Sequence, residues 1–207
     1  RSTQAKTLFP YTTLFRSSLG CLYYLGDVPE LTRRVHALLR RAEERGNLYA
    51  GADLRTRFTF IWLAADDPSR AEREIEEALS KWSHGGFHLQ HFNSLMALGQ
   101  KDLYTGEVER AEARMKAQMP ALKGSLLLRI QGLRVELANL QGRLALALST
   151  SAASPEASFR AAERAAASLE KERADWATPL GSLLRASVAA GRGDAAKALA
   201  KIGRAHV

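Results

Sequence analysis

The segment FHLQHFNSLMALGQKDLYTGEVERAEARM, Phe87–Met115, reads as two amphipathic helices meeting at Thr105-Gly106-Glu107. Gly99 precedes the turn glycine by seven residues, Ala111 follows it by five, and bulky Met115 comes four later. A small residue in the first helix, a glycine at the turn, then a small and a large apolar residue in the second lets two helices cross closely. Ridges of one helix can then fill grooves of the other.

Working outward, the same grammar recurs. Toward the N-terminus, Asp66-Asp67-Pro68 starts a helix with Ala71, Ile75, Ala78, Leu79 and Trp82 on one stripe, closing near His84-Gly85-Gly86. Before it, a helix is expected from about Leu48 to Ala65, burying Leu54, Phe58, Ile61, Trp62 and Ala65. Earlier still, Asp27 can cap a helix that carries Pro29 in its first turn, where the missing N–H costs nothing. Leu31, Val35, Leu38, Leu39 and Ala42 give it an apolar stripe, and Gly46-Asn47 ends it. Ser18–Leu25 reads as the tail of a preceding helix.

Toward the C-terminus, the second helix of the pair should reach about Leu122. A long helix follows, roughly Ser125 to Leu148, in which Gly132 and Gly142 read as tolerated interruptions. Ser149–Pro155 is linker-like, and helices are expected over Glu156–Arg173, Trp176–Ala190 and beyond the Gly191–Asp194 turn. The turn signals Asp27, Asp67, Gly106, Pro155 and Asp194 recur about every 40–50 residues. No strand-type alternation and no Asn-Gly hairpin signal is present. The expected fold is therefore all-α: tandem helical hairpins stacked as an α-solenoid. It would place repeats over 18–148, a linker over 149–155 and further hairpins over 156–201.

The chain has 207 residues and carries 30 Lys+Arg against 22 Asp+Glu, a net +8. TLFPYTTLFRS within residues 1–17 and IGRAHV at 202–207 resemble the in-frame translation of sequencing adapters, and are set aside from the fold. Arg1, Lys6, Arg16 and Arg204 fall in those ends and no acidic residue does, so half of the excess charge belongs to them. Elsewhere basic and acidic residues alternate, as in Leu39–Arg45, which marks solvated helix faces rather than a nucleic-acid surface. Apolar content of 46% suffices for a core. No apolar run reaches the roughly 18–20 residues of a membrane span. The single cysteine, Cys21, allows no internal disulfide and is expected to be a small buried residue of the first helix. A cytoplasmic setting is expected, with no nucleic-acid and no membrane partner.

Few residues suggest chemistry. His84, His88 and His91 have spacings that a continuous helix would turn into one metal-facing side. Gly85-Gly86 should break that helix, and no carboxylate completes a ligand pattern, so groove-lining or inter-helix packing histidines and no metal are expected. No Gly-x-Ser-x-Gly elbow, GxxxxGK[ST] loop or GxGxxG turn occurs. Neither a catalytic residue nor a cofactor is expected. Asp66-Asp67 and Glu76-Glu77 read as caps and solvated faces, and Phe58/Trp62 and Phe87/Phe92 as core.

In stacked hairpins the first helices line a concave side on which a protein or peptide can dock. The outward polar candidates on that strip are Arg55 and Arg57, then His88, His91 and Asn93, then Arg129 and Arg134. Truncated end hairpins also leave end-to-end self-association open.

LYYLGDVPELTRRVHALLRRAEERGNLYA (22–50), WLAADDPSRAEREIEEALSKWSHGGFHLQHF (62–92), DLYTGEVERAEARM (102–115) and LLLRIQGLRVELA (126–138) together carry a family likeness. They resemble the C-terminal tetratricopeptide-like region of large bacterial, eukaryotic-type serine/threonine protein kinases, in which a P-loop ATPase module precedes the helical repeats. The resemblance implies a TPR-like α-solenoid serving as the sensing or protein-binding arm of a cytoplasmic signalling kinase. The alternatives are the sensor arm of a repeat-containing transcriptional regulator, or a free-standing scaffold. No kinase motif lies in the chain, so no catalytic residue carries over.

Overall fold

A computed structural model describes residues 18–83, 85–151 and 154–203. These form eleven helices and one 3-10 turn, with no strand among the described residues. The all-helical expectation holds. The chain divides into two compact units, the first comprising Arg1–Gly85 with Leu89–Lys101, the second Gly86–His88 with Asp102–Val207.

The first unit contains α1 (residues 18–25), α2 (Val28–Glu44), α3 (Leu48–Arg57), α4 (Phe60–Ala64), α5 (Pro68–Ser80) and most of α6 (Leu89–Thr105). Helix α3 packs between α2 and α5, and α4 touches the same two helices. Leu31, Val35 and Leu39 of α2 meet Leu54, Phe58, Ile61 and Trp62 there, with Leu19 and Ala71 closing the core. The expected stripe of α2 is buried except for half-buried Leu38. Cys21, by contrast, is exposed. Leu19 takes the inward face of α1, and a residue two positions along points about 200° away from it on a helix.

The single helix expected over Leu48–Ala65 is two helices. Thr56 Oγ1 donates to the Ala52 carbonyl at 2.7 Å, and Thr59 Oγ1 donates to the Arg55 and Thr56 carbonyls at 3.0 and 2.9 Å. Hydroxyls thus occupy carbonyls in the break, and the chain tightens into short-range bonds, Ile61 N–H to Phe58 O and Trp62 N–H to Thr59 O. Ala65, expected in the core, ends α4 as an exposed residue.

The second unit contains α7 (Val108–Gly124), the 3-10 turn Leu127–Arg129, α8 (Gln131–Ser151), α9 (Glu156–Lys171), α10 (Thr178–Gly191) and α11 (Ala195–Gly203). Each helix packs on its successor, and α8 also touches α10. The expected start of the long helix at Ser125 moves to Gln131. Leu126 is left-handed (φ 65°) and Ile130 extended, so the chain kinks through the 3-10 turn first. Arg134 stabilises the kink, its Nη1 donating to the Leu128 and Arg129 carbonyls at 3.0 and 2.9 Å. Of the linker-like residues, Ser149–Ser151 complete α8. The tails at 1–17 and 204–207 lie outside the described residues, whereas Ile202 and Gly203 belong to α11.

Gly142 is more than a tolerated interruption. A Cβ there would lie 2.4 Å from Leu184 Cδ1 and 3.1 Å from the Ala165 Cβ, so its absence lets α8 approach α9 and α10. Gly132 has open space at the same point.

The helix ends follow one rule. Left-handed residues fall at Gly26, Gly46, Asp66, Gly86, Gly106 and Leu126, a spacing of twenty throughout, and the spacing recurs between Arg173 and Gly193. After Gly26, Gly46, Asp66, Gly106 and Gly193 the next residue's N–H returns to the carbonyl five residues back, at 2.8–3.1 Å. This is the Schellman closure, which satisfies orphan carbonyls at a helix end. At Asp27, Asn47, Asp67 and Asp194 the same residue then caps the next helix, its side chain accepting the N–H three residues on at 2.8–3.2 Å. One dipeptide therefore both stops a helix and starts another.

Candidate functional site

The proposed docking strip is best followed residue by residue. Arg55, nominated as outward, is only 7% exposed. It sits on the α3 face turned to α2 and α5, where its Nε meets Glu74 at 2.9 Å and its Nη2 meets Glu43 at 2.5 Å and Glu77 at 3.3 Å. Three carboxylates from two helices hold it inside as a structural tie, and it also lines a hollow of about 180 Å³ with Glu43 of α2 and Glu77 of α5. Asn93 is likewise buried, its amide donating to Asp53 Oδ1 at 3.3 Å. Burial of an amide and a guanidinium is tolerated because both are hydrogen-bonded.

Arg57 is exposed at the end of α3, and Arg129 is exposed in the 3-10 turn. His88 and His91 are half-buried at the start of α6, and neither is without a partner. His84 lies outside the described residues. Among the described residues no group of three His, Cys, Asp or Glu side chains could hold a metal ion. Arg134 grips Glu172 with Nε and Nη2, both at 2.6 Å, and keeps that carboxyl below its usual range. The seven residues thus serve different local roles, with Arg55 and Asn93 inside.

The aromatic pairs behave as core: Phe58, Trp62 and Phe92 are buried and Phe87 is half-buried. Trp62 lies between the His36 ring, 4.9 Å away between centroids, and the Arg70 guanidinium, 4.1 Å from its centroid. Burial first, then the charges of Arg70 and Arg40, pushes the His36 pKa down.

A different feature emerges in the second unit. Helix α8 forms the floor of a groove with α7 on one side and α9 on the other. One hollow, about 670 Å³, is lined by Gln131, Arg134, Leu137, Ala138 and Gln141 of α8, by Leu128 before it, and by Ser168 and Lys171 of α9 with Glu172 at its end. A second, about 460 Å³, is lined by Met115 of α7, Gln141, Leu144 and Ala145 of α8, and Ala161 and Arg164 of α9. Both are lined by Gln141 and Ser168, so they adjoin along α8. From Gln131 to Leu148 the floor is about 26 Å long at the helical rise of 1.5 Å per residue.

Charge on α9 is segregated by heptads. Glu156, Glu163 and Glu170 face α10 and are each met by an arginine: Arg192 reaches Glu156 at 2.6 Å and Glu163 at 2.7 Å, and Arg185 reaches Glu170 at 2.7 Å. These arginines hold Glu156 and Glu170 below the usual carboxylate range. One residue on, Arg164 and Lys171 edge the groove and make no ion pair among the described residues. Glu30, Glu77, Glu156, Glu170 and Glu172 are each held down by a nearby cation, which makes them weaker bases. Sequence reasoning passed over Gln141, Arg164 and Lys171. The available signal was the heptad offset of acids and bases along α9. Among the described residues no helix is long and apolar enough to cross a membrane. No family model, curated protein or solved structure matches this chain.

Proposed function

We propose that this chain is a non-catalytic interaction region made of tandem tetratricopeptide-like helix pairs, which docks a protein segment on its helical surface. The observation that carries the reading is the α8 groove, long enough for a peptide, with a floor that is polar at Gln131, Arg134 and Gln141 and apolar at Leu144, Ala145 and Leu148. The twenty-residue recurrence of helix ends supports the repeat reading, since two helices and two turns make a unit of forty. That unit is longer than the 34 residues of the tetratricopeptide repeat proper and gives each helix an extra turn or so.

Attachment to a bacterial signalling serine/threonine kinase or related ATPase, working in the cytoplasm, rests on the likeness of residues 22–50, 62–92, 102–115 and 126–138. Reading the coding sequence on both sides of residues 18–201 tests it. A kinase catalytic loop and P-loop upstream supports the kinase arm. A helix-turn-helix domain at either end replaces it with a transcriptional regulator, and a frame closing near these residues leaves a free-standing scaffold. Self-association through the ends belongs to the same reading, supported by Leu25 at 79% and Leu199 at 70% exposure. Size-exclusion chromatography over a concentration series checks it; an elution volume independent of concentration removes it.

A further inference from the structure

The groove carries an asymmetry that specifies its occupant. Along its rim, Glu112 is paired with Lys116 at 2.9 Å and Glu172 with Arg134 at 2.6 Å. Arg164 and Lys171 remain, both exposed, neither in an ion pair among the described residues. Seven residues separate them, so they lie on the same side of α9 about 10 Å apart. The acids of α9 that could have neutralised them are turned toward α10 and committed to Arg185 and Arg192. The groove edge is therefore locally cationic although its individual helices are of mixed charge.

Between the two cations lie Ser168 and, across the groove, Gln141. Ser168 donates its hydroxyl hydrogen to the Arg164 carbonyl at 3.0 Å and keeps an acceptor free. Gln141 makes no side-chain hydrogen bond among the described residues and is half-exposed, so it offers both a donor and an acceptor. Beside Arg164 the floor is apolar, with Leu144, Ala145 and Ala161.

From this geometry we infer that the α8 groove binds an acidic peptide segment, two of whose carboxylates, about 10 Å apart, meet Arg164 and Lys171. The peptide backbone lies over Gln141 and Ser168, and an apolar side chain enters the floor at Leu144 and Ala161. In a polyproline-type extended peptide, residues three apart point the same way and are about 9 Å apart, which matches the cation spacing. The inference rests on the docking function proposed above and adds the chemistry of the partner. Two cations with no ion-pair partner among the described residues, one of them beside an apolar floor, favour a peptide over nucleic acid, whose binding needs a longer track of phosphate contacts.

The test uses the full 207-residue chain and two fluorescein-labelled peptides of about nine residues, one with an Asp-Leu-Ala-Asp centre and one with Lys replacing both Asp. Binding is read by fluorescence anisotropy at about 50 and about 300 mM salt, which separates screened from apolar contributions. The double variant Arg164→Glu/Lys171→Glu changes two exposed side chains that hold no ion pair, and its fold is checked by circular dichroism. Ala161→Trp fills the floor. The expected result is saturable binding of the Asp peptide, weakened about tenfold by the charge reversal and more weakly by salt, and lost in Ala161→Trp. The reversed variant should then prefer the Lys peptide. Equal binding of both peptides to the parent chain, blocked by Ala161→Trp, overturns the acidic specificity while the docking function stands. No binding of either peptide removes both. Displacement of the Asp peptide by a short single-stranded oligonucleotide, unaffected by Ala161→Trp, makes the edge a polyanion surface and also overturns the inference.

Discussion

Replacing Arg55 with alanine removes an electrostatic tie that joins α2, α3 and α5. Arg55 is 7% exposed, and its three partners differ in hydration: side-chain exposure is 16% for Glu74, 44% for Glu77 and 52% for Glu43. Removing one member of a fully buried pair costs about 3–5 kcal/mol, because the other charge is left without solvent or partner. Here only Glu74 is stranded in that sense, and it keeps Arg70 at 3.6 Å. Glu77 keeps Lys81 at 2.6 Å, and Glu43 is half in water. The expected loss is accordingly about 2–3 kcal/mol, below the fully buried value and above the 0–1 kcal/mol of a surface pair. In a chain of this size that lowers the melting temperature by roughly 5–10 °C. Urea unfolding followed by circular dichroism at 222 nm gives the free energy directly. Glu43→Gln, which removes the most hydrated partner, should cost under about 0.5 kcal/mol. Arg55→Met with Glu74→Leu should recover most of the loss, since an apolar pair avoids desolvating charge. The reasoning fails if Arg55→Ala lies within about 0.5 kcal/mol of the parent, or if Glu43→Gln is as damaging.

Three further outcomes follow from the same structure. Gly142→Ala should destabilise by about 1–2 kcal/mol, because overpacking against Leu184 and Ala165 outweighs the gain in helix propensity, whereas Gly132→Ala should be neutral or stabilising by about 0.5 kcal/mol; parallel thermal melts read the opposite signs. Gly106→Ala, at φ 78°, should cost about 1 kcal/mol by forcing a side chain into the left-handed region at the helix end, and a substitution without effect on urea midpoint would refute the assigned turn. His36 titrates below its unfolded value because burial against Trp62 and the neighbouring Arg70 and Arg40 disfavour the imidazolium, with Glu74 opposing. The native state then binds fewer protons than the unfolded chain, so the stability His36 confers is full above about pH 6.5 and is lost as pH falls through the lower folded pKa. His36→Gln should flatten that part of the stability–pH curve, and an unchanged slope between pH 6.5 and 5 would show that another group sets it.

The turn at Gly106 between two helices, the Asp27 and Asp67 caps and the apolar stripe of α2 were all legible in the sequence. So was the core role of Phe58, Trp62 and Phe92. The finer regularity was legible too but easy to overlook: Gly26-Asp27, Gly46-Asn47, Asp66-Asp67 and Gly106-Glu107 are evenly spaced dipeptides, obscured because Gly86-Phe87 and Leu126-Leu127 take the same places without a capping side chain. The candidate site was read less well. Arg55 and Asn93 look like surface residues in a helical pattern, and the pattern contains nothing about the acids and amides that come to meet them.

Helix type, helix ends and much of the core were therefore determined by the sequence alone, because their causes are local. A left-handed glycine, a capping carboxylate three residues from its donor and an N–H returning five residues back all act within one or two turns of chain. What tertiary structure decided was which charges are buried, where a long helix breaks and where a groove opens. Arg55 is held by carboxylates 12, 19 and 22 residues away, and Arg134 by one 38 residues away. Whether Gly142 is a weak point or a requirement depends on Leu184, on a helix two elements later. Burial and charge pairing are properties of neighbours in space, and chain order supplies those neighbours only after the helices have packed.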